Sequence, residues 1–232
     1  MNKNIIISIV VVVLLGLGAI WLINNDDSNM GEDENSEMAT TTDETSEVSE
    51  LEDGDYTVVT KDSEVTWTGT KELVADYEDV GTIDIEEGSF VVVDGVIESG
   101  AFTIDMNSIA GAETSNSKMT LLDLSKHLKS DDFFDVATYP TASFEITDVN
   151  RLSGNNFEIM GDLTIKDKTE SVTFPATLSE ESDGRVTFMA DFEIDRTKWD
   201  LIYGSGSFFD DLGNNVISDM IGLQLELVAR SN

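Results

Sequence analysis

The chain has no cysteine. A disulfide framework, a thiolate metal site, a cysteine nucleophile and a lipidated cysteine are therefore all excluded. Histidine occurs once, at His127. The usual zinc site, which needs several His or Cys ligands, cannot be assembled, and a serine nucleophile has a single imidazole to serve as its base. Cations are scarce as well: 13 Lys and Arg stand against 47 Asp and Glu, a formal net charge of −34 over 232 residues. Such a polyanion repels polyanions, so nucleic acid is excluded as a partner. The acidity reads as a solvation device rather than as a site for one particular cation.

Catalytic signatures are missing too. No Gly-x-Ser-x-Gly elbow precedes a helix, and the nearest look-alike, GSGS at 204–207, reads as a glycine-serine turn. No D-x-D-x-D-G calcium loop occurs. The stretch HLKSDDFFDVATYP (127–140) gathers Asp131, Asp132 and Asp135 around Phe133 and Phe134, just after His127. Exposed carboxylates are abundant along the whole chain and need no bound ion to explain them. No catalytic residue, metal or cofactor is called for.

Three regions differ in composition. Residues 1–23 contain an uncharged apolar run, Ile5 to Ile23, preceded by Lys3 and followed by Asp26 and Asp27. Nineteen residues at 1.5 Å each just cover a hydrocarbon core of about 30 Å. The run exceeds the roughly 7–15 residues of a signal-peptide core, and no clean A-x-A site follows. It is expected to be a transmembrane helix that anchors the chain in the membrane, with a cleaved signal as the alternative. Lys3 biases the amino terminus inward, which sends the remainder out of the cytoplasm, into the cell envelope. Cleavage would instead leave a secreted or periplasmic protein. Residues 24–55 are dominated by Ser, Thr, Asn, Asp and Glu, with no Lys, Arg or aromatic before Tyr56. Such a segment is predicted to be a disordered, self-repelling linker.

Residues 56–232 alternate apolar and polar positions with period two. Val65 and Trp67 share a side, as do Phe102, Ile104 and Met106, then Phe144 and Ile146, and Phe157 and Ile159. The pattern continues with Leu163 and Ile165, with Val172, Phe174, Ala176 and Leu178, and with Val186, Phe188, Ala190, Phe192 and Ile194. Ile221, Leu223, Leu225 and Leu227 close the series. Each run reads as a strand with one wet face. EEG (86–88), DG (94–95), SGNN (153–156) and SDG (182–184) are hairpin signals between them. Short strands joined tightly make an all-β antiparallel sandwich or barrel. One segment departs, SKMTLLDLSKHLK (117–129), where Leu121, Leu124 and Leu128 recur at helical spacing. It predicts one short helix laid over an end of the sheet.

Three motifs then occur in order. HLKSDDFFDVATYPTASFEI (127–146), GDLTIKDKTESVTFPATL (161–178) and DFEIDRTKWDLIYGSGSFFDDLGNNVISDMIGLQLELV (191–228) resemble the hallmark segments of the YceI-like proteins. The similarity covers about Tyr56 to Ala229. It implies an extended, antiparallel, lipocalin-like β-barrel of about eight strands. It also implies a long apolar pocket that in relatives holds a polyisoprenoid or other amphiphilic chain, and export to the periplasm or cell envelope. Two positions depart from the pattern: relatives often carry a histidine just before the glycine at Gly81, where this chain reads VADYEDVG, and a glycine in the turn after Ile165, where it reads KDKTE.

The resemblance points to non-catalytic binding, sequestration or transport of an isoprenoid or fatty lipid, a quinone included. The candidate lining is Trp67, Phe90, Phe102, Phe144, Phe174, Phe188, Phe192 and Trp199, with Arg196 and Lys198 as cations for an anionic head group. Phe133 and Phe134 are expected to turn inward or cap the barrel while Asp131, Asp132 and Asp135 face water. Alternation fits a barrel packed solid equally well, and that version is a structural or protein-interaction domain of the envelope.

Overall fold

The computed structural model describes residues 51–180 and 184–232. The expected anchor, nearly all of the expected linker, and Ser182 and Asp183 of the SDG turn lie outside the described residues. Among those described, no helix is long and apolar enough to cross a membrane.

Nine strands follow in chain order: β1 Gly54–Val58, β2 Glu64–Lys71, β3 Glu78–Val93, β4 Val96–Thr114, β5 Thr141–Ser153, β6 Asn156–Ile165, β7 Lys168–Glu180, β8 Arg185–Asp195 and β9 Ile217–Ser231. A single α-helix, α1, spans Leu121–Lys129 between β4 and β5. The described sheet is antiparallel, and the pairing of β3 with β4 closes it into a barrel. The nine strands fill eight positions. β1 and β2 lie end to end between the same two neighbours, β3 and β9. What separates them is a 3-10 turn at Thr60–Asp62. The buried Ser63 stitches this interruption, its Oγ accepting from the Val228 N–H at 2.9 Å. A closed barrel has no free edge, so no row of unpaired backbone groups is left to template aggregation.

The strand alternation is realised in side-chain placement. In β8, Val186, Phe188, Ala190 and Ile194 are buried, whereas Met189, Asp191 and Glu193 between them are exposed. Asp94 and Gly95, both with positive φ (52° and 72°), make the two-residue turn between β3 and β4 that the DG pair predicts. Lys166 takes the left-handed conformation (φ 58°) in the two-residue turn from β6 to β7.

Two expectations need correction. EEG at 86–88 is not a turn: β3 runs straight through it, and the register against β4 slips between Ile85 and Glu87. The glycine serves close packing there, since a Cβ on Gly88 would come within 2.6 Å of the Phe102 ring and 2.8 Å of Val58. A bulge and a turn draw on the same residue types, and composition does not separate them. The linker also ends earlier than composition suggests. Leu51 is buried, the Asp53 carboxylate accepts from Gly95 N–H at 2.9 Å, and Gly54 and Asp55 already belong to β1. Polar residues are cheap to place in a strand whose outer face is wet.

α1 begins at Leu121 because Thr120 caps it: its Oγ1 accepts from Asp123 N–H at 3.1 Å and lies 2.7 Å from the Asp123 carboxylate. That hydrogen bonding holds the Asp123 carboxyl below its ordinary range. Leu124 and Leu128 turn to the barrel, while Leu121 and Leu122 stay exposed. Gly111 N–H donates to Ser125 Oγ at 2.9 Å and fixes the helix against β4.

Candidate functional site

Burial along the inward rows varies with height in the barrel. At the end carrying the β3–β4 and β5–β6 turns, Leu51, Tyr56, Val92, Phe157, Leu178 and Ala229 are all but fully buried. Phe90 stacks on Tyr56 at 4.8 Å and meets Phe188 edge-on at 5.7 Å. This end is a solid plug. At the opposite end a second apolar cluster joins Leu124 and Leu128 of α1 to Trp67, Ile109, Phe133, Val136, Trp199 and Leu201. Between the two, inward-facing Val65, Phe102, Ile104, Phe144, Ile146, Leu163, Val172, Phe192, Leu223 and Leu225 are only half-buried. Large apolar side chains pointing inside a closed barrel stay half-buried for one reason: they face empty space.

That space is a cavity of about 630 Å³, inside the range of about 300–1,000 Å³ usual for small-molecule sites. Its wall draws on every strand from β2 to β9 and on α1. Trp67, Phe90, Phe102, Phe144, Phe174, Phe188, Phe192 and Arg196, all named from the sequence, border it. Phe174 and Phe192 stack at 4.2 Å, and Phe144 leans on Phe174 at 5.7 Å, making an aromatic stretch of wall.

The other two candidates are elsewhere. Lys198 is exposed and Trp199, 1% exposed, sits in the core, where its Nε1 donates to Leu163 O at 2.9 Å. The 3-10 turn Arg196–Trp199 sets this division: Asp195 caps it through Thr197 N–H, and the tight winding points neighbouring side chains in different directions. Arg196 touches the cavity, but its donors are spent on the protein. Nε donates to Ser218 O at 2.9 Å, Nη2 to Ile217 O at 3.2 Å and Nη1 to Leu201 O, with the Asp219 carboxylate 3.5 Å away. Burial lowers its pKa against the pull of Asp219 and Asp195. Arg196 is a clasp joining the segment after β8 to the start of β9, rather than an open anion receptor. Charge in the sequence is visible; which donors are already taken is not.

Polar groups ring the α1 end, among them Lys71, Tyr77 and Asp79, which the sequence did not single out. Lys71 places Nζ 4.6 Å over the Tyr77 ring, and Tyr77 hydroxyl donates to Asp79 at 2.9 Å. Desolvation and the Asp79 carboxylate push the Tyr77 phenol up to about 12. His127 borders the cavity, edge-on to Phe133 at 5.2 Å and to Tyr203 at 4.6 Å, with Nδ1 4.0 Å from the Asp132 carboxylate. Phe133 is buried and Phe134 partly so, both on the cavity wall, while Asp131 and Asp132 are exposed. The corner backbone is held by Ser130 and Asp135: Ser130 Oγ donates to His127 O at 2.7 Å, and Asp135, at φ 44°, accepts through its carbonyl from Thr138 and Tyr139. Among the described residues, no group of three or more His, Cys, Asp or Glu is placed to hold a metal ion.

Gly81, the cross-strand partner of Trp67, is required by close approach: a Cβ there would lie 1.9 Å from Ala110 O and 2.4 Å from the indole. The Trp67 ring occupies the space that a side chain at Gly81 would take, and its buried Nε1 has no hydrogen-bond partner among the described residues. An orphaned buried donor costs about 1–3 kcal/mol.

Known proteins share this architecture. The chain aligns with Protein YceI of Escherichia coli at 43% identity over 58 residues, 25% of this chain and 30% of that protein. A UPF0312 protein of Pseudomonas aeruginosa matches equally. The aligned stretch thus spans under a third of these curated relatives. Among solved structures, Burkholderia cenocepacia BcnA superposes with a TM-score of 0.53 at 25% identity, covering 74% of this chain and 98% of that one. A polyisoprenoid binding domain from Saccharophagus degradans superposes at 0.53 with 16% identity, covering 76% and 98%, and shares the fold. The model of the YceI-like domain matches residues 56–229, the stretch that supplies the closed barrel and nearly all of its hollow interior, so the chain belongs to the YceI-like family.

Proposed function

We propose that the barrel binds, and thereby sequesters or carries, a polyisoprenoid or similar amphiphilic lipid, without catalysis. The observation that carries this reading is the half-burial of the mid-barrel inward rows around a cavity of about 630 Å³. An apolar wall of that extent leaves water poorly satisfied and an oily chain well placed. Burying ten methylenes contributes about 8 kcal/mol, from which ordering and association costs are subtracted. The polyisoprenoid binding domain of Saccharophagus degradans shares this fold, and the same use suits the cavity here. Lipid is held by the wall, and the polar ring near α1 orients the end that stays near water. An anchor formed by the apolar run Ile5 to Ile23 would hold the barrel in the cell envelope, within reach of membrane lipid.

The compact unit Thr45–Asn232, purified without detergent, is the material for the test. Mass spectrometry of its organic extract should recover a long-chain lipid in near-stoichiometric amount, or the emptied protein should take up added isoprenoid. An extract without lipid, together with no uptake, ends the carrier reading and leaves a structural or interaction domain.

A further inference from the structure

The two ends of the barrel differ on the outside as well as within. Antiparallel strands put the β2–β3, β4–β5, β6–β7 and β8–β9 connections at the α1 end. The three exposed aromatic residues among those described, Tyr203, Phe208 and Phe209, all stand on the β8–β9 connection. Leu121 and Leu122 are exposed on the first turn of α1, and Leu73 is exposed on the β2–β3 connection. These connections are held side by side. Ser115 N–H donates to Glu78 O at 2.9 Å, tying the chain before α1 to the start of β3, and the Tyr203 ring meets His127 of α1 at 4.6 Å. Tyr203 and Asn215 are exposed and also border the cavity, so the cavity reaches the surface at this end. The greasy rim continues the greasy tunnel outward.

We infer that this rim docks on the surface of a lipid bilayer and seats the mouth of the barrel in the interface, so that a lipid chain passes between bilayer and cavity without crossing water. Exposed aromatic and leucine side chains on neighbouring loops are costly in water and suit the headgroup boundary, where rings and aliphatic tips bury. The occupant follows from what the mouth passes. Each methylene drawn into water lowers the population of a crossing chain about fourfold, and ten lower it about a millionfold, so a mouth pressed to the bilayer removes the main barrier to exchange. The contact is apolar rather than coulombic. Exposed Asp210 and Asp211 follow Phe208 and Phe209, Glu72 precedes Leu73, and Asp123 follows Leu122, with exposed Lys118, Lys126 and Lys198 set among them. On a chain of net charge −34 such a rim is repelled by an anionic bilayer and accepted by a zwitterionic one. The inference rests on the lipid-binding reading and adds the surface from which the lipid enters.

The unit Thr45–Asn232 holds all nine strands of the closed barrel and both apolar clusters, so it folds without the run Ile5 to Ile23 and is tested alone. It should co-sediment with phosphatidylcholine vesicles, less well as phosphatidylglycerol is added, and the difference should close as salt rises. Phe208→Ser combined with Phe209→Ser should weaken vesicle binding about tenfold or more, and Leu122→Ser about fivefold. Leu152→Ser changes a leucine 59% exposed at the plug, against 63% for Leu122, and should leave vesicle binding unaltered. Every variant should bind farnesol dissolved in buffer as the unaltered unit does, which also shows that the barrel is folded. Farnesol binding without vesicle binding overturns the docking rim, leaves the patch to a protein partner, and lets the lipid-binding reading survive. A loss for Leu152→Ser equal to that for Leu122→Ser overturns the rim in the same way. An unaltered unit that binds no farnesol overturns both.

Discussion

Val172→Phe separates a hollow interior from a packed one more sharply than any other single change. Val172 lies on β7 opposite Gly161, faces inward, is half-buried, and borders the cavity between the two apolar clusters. Phenylalanine adds about four carbons to the wall and takes the room of about four carbons of bound chain. At about 0.8 kcal/mol per methylene, a ligand that fills the tunnel loses about 3 kcal/mol, or about two-hundredfold in affinity. The unliganded protein moves the other way: a ring placed in empty space buries apolar surface and adds about 0.5–2 kcal/mol of stability. The assay pairs chemical denaturation of the lipid-free protein with equilibrium binding of a long isoprenoid. Opposite signs are expected. A destabilised protein with overpacking of about 1–3 kcal/mol and unchanged lipid binding would show that side chains already fill the space beside Val172, and the reasoning from half-burial would fail.

Gly81→Ala should destabilise the barrel by at least about 1–3 kcal/mol, because the new methyl meets both Ala110 O and the Trp67 ring, with no flexible neighbour to yield; a denaturant midpoint measures it. Arg196→Met should cost about 3–5 kcal/mol by stranding the carbonyls of Leu201, Ile217 and Ser218 and the Asp219 carboxylate; an effect below 1 kcal/mol would remove its role as a clasp. Tyr77 keeps its proton to about pH 12 when folded but to about 10 when unfolded, so its contribution is whole below pH 10 and is lost as pH rises toward 12. Tyr77→Phe should therefore flatten the alkaline fall of thermal stability measured from pH 9 to 11.

Strands were legible in the sequence wherever apolar and polar residues alternate, since a side-chain period of two has one simple structural meaning. The DG and SGNN turns and the single helix were legible too. EEG at 86–88 was not, because a bulge in a continuous strand and a turn between strands use the same small and acidic residues. Of the lining candidates, Trp67, Phe102, Phe144, Phe174, Phe188 and Phe192 fall on the alternating runs and border the cavity. Trp199 does neither, because the 3-10 turn after β8 breaks the period just before it.

The order of residues by itself determined an all-β chain with one wet and one greasy face, too acidic for nucleic acid and without the ligands for a zinc site. Only the tertiary structure decided that the greasy face encloses a space. A filled and a hollow barrel are written with the same alternation; what distinguishes them is whether opposite walls stand close enough for side chains to meet, and that follows from how β3 joins β4. It also decided that the arginine is spent and that the Trp67 indole N–H is buried without a partner among the described residues, because a hydrogen bond depends on which carbonyls the fold brings within reach.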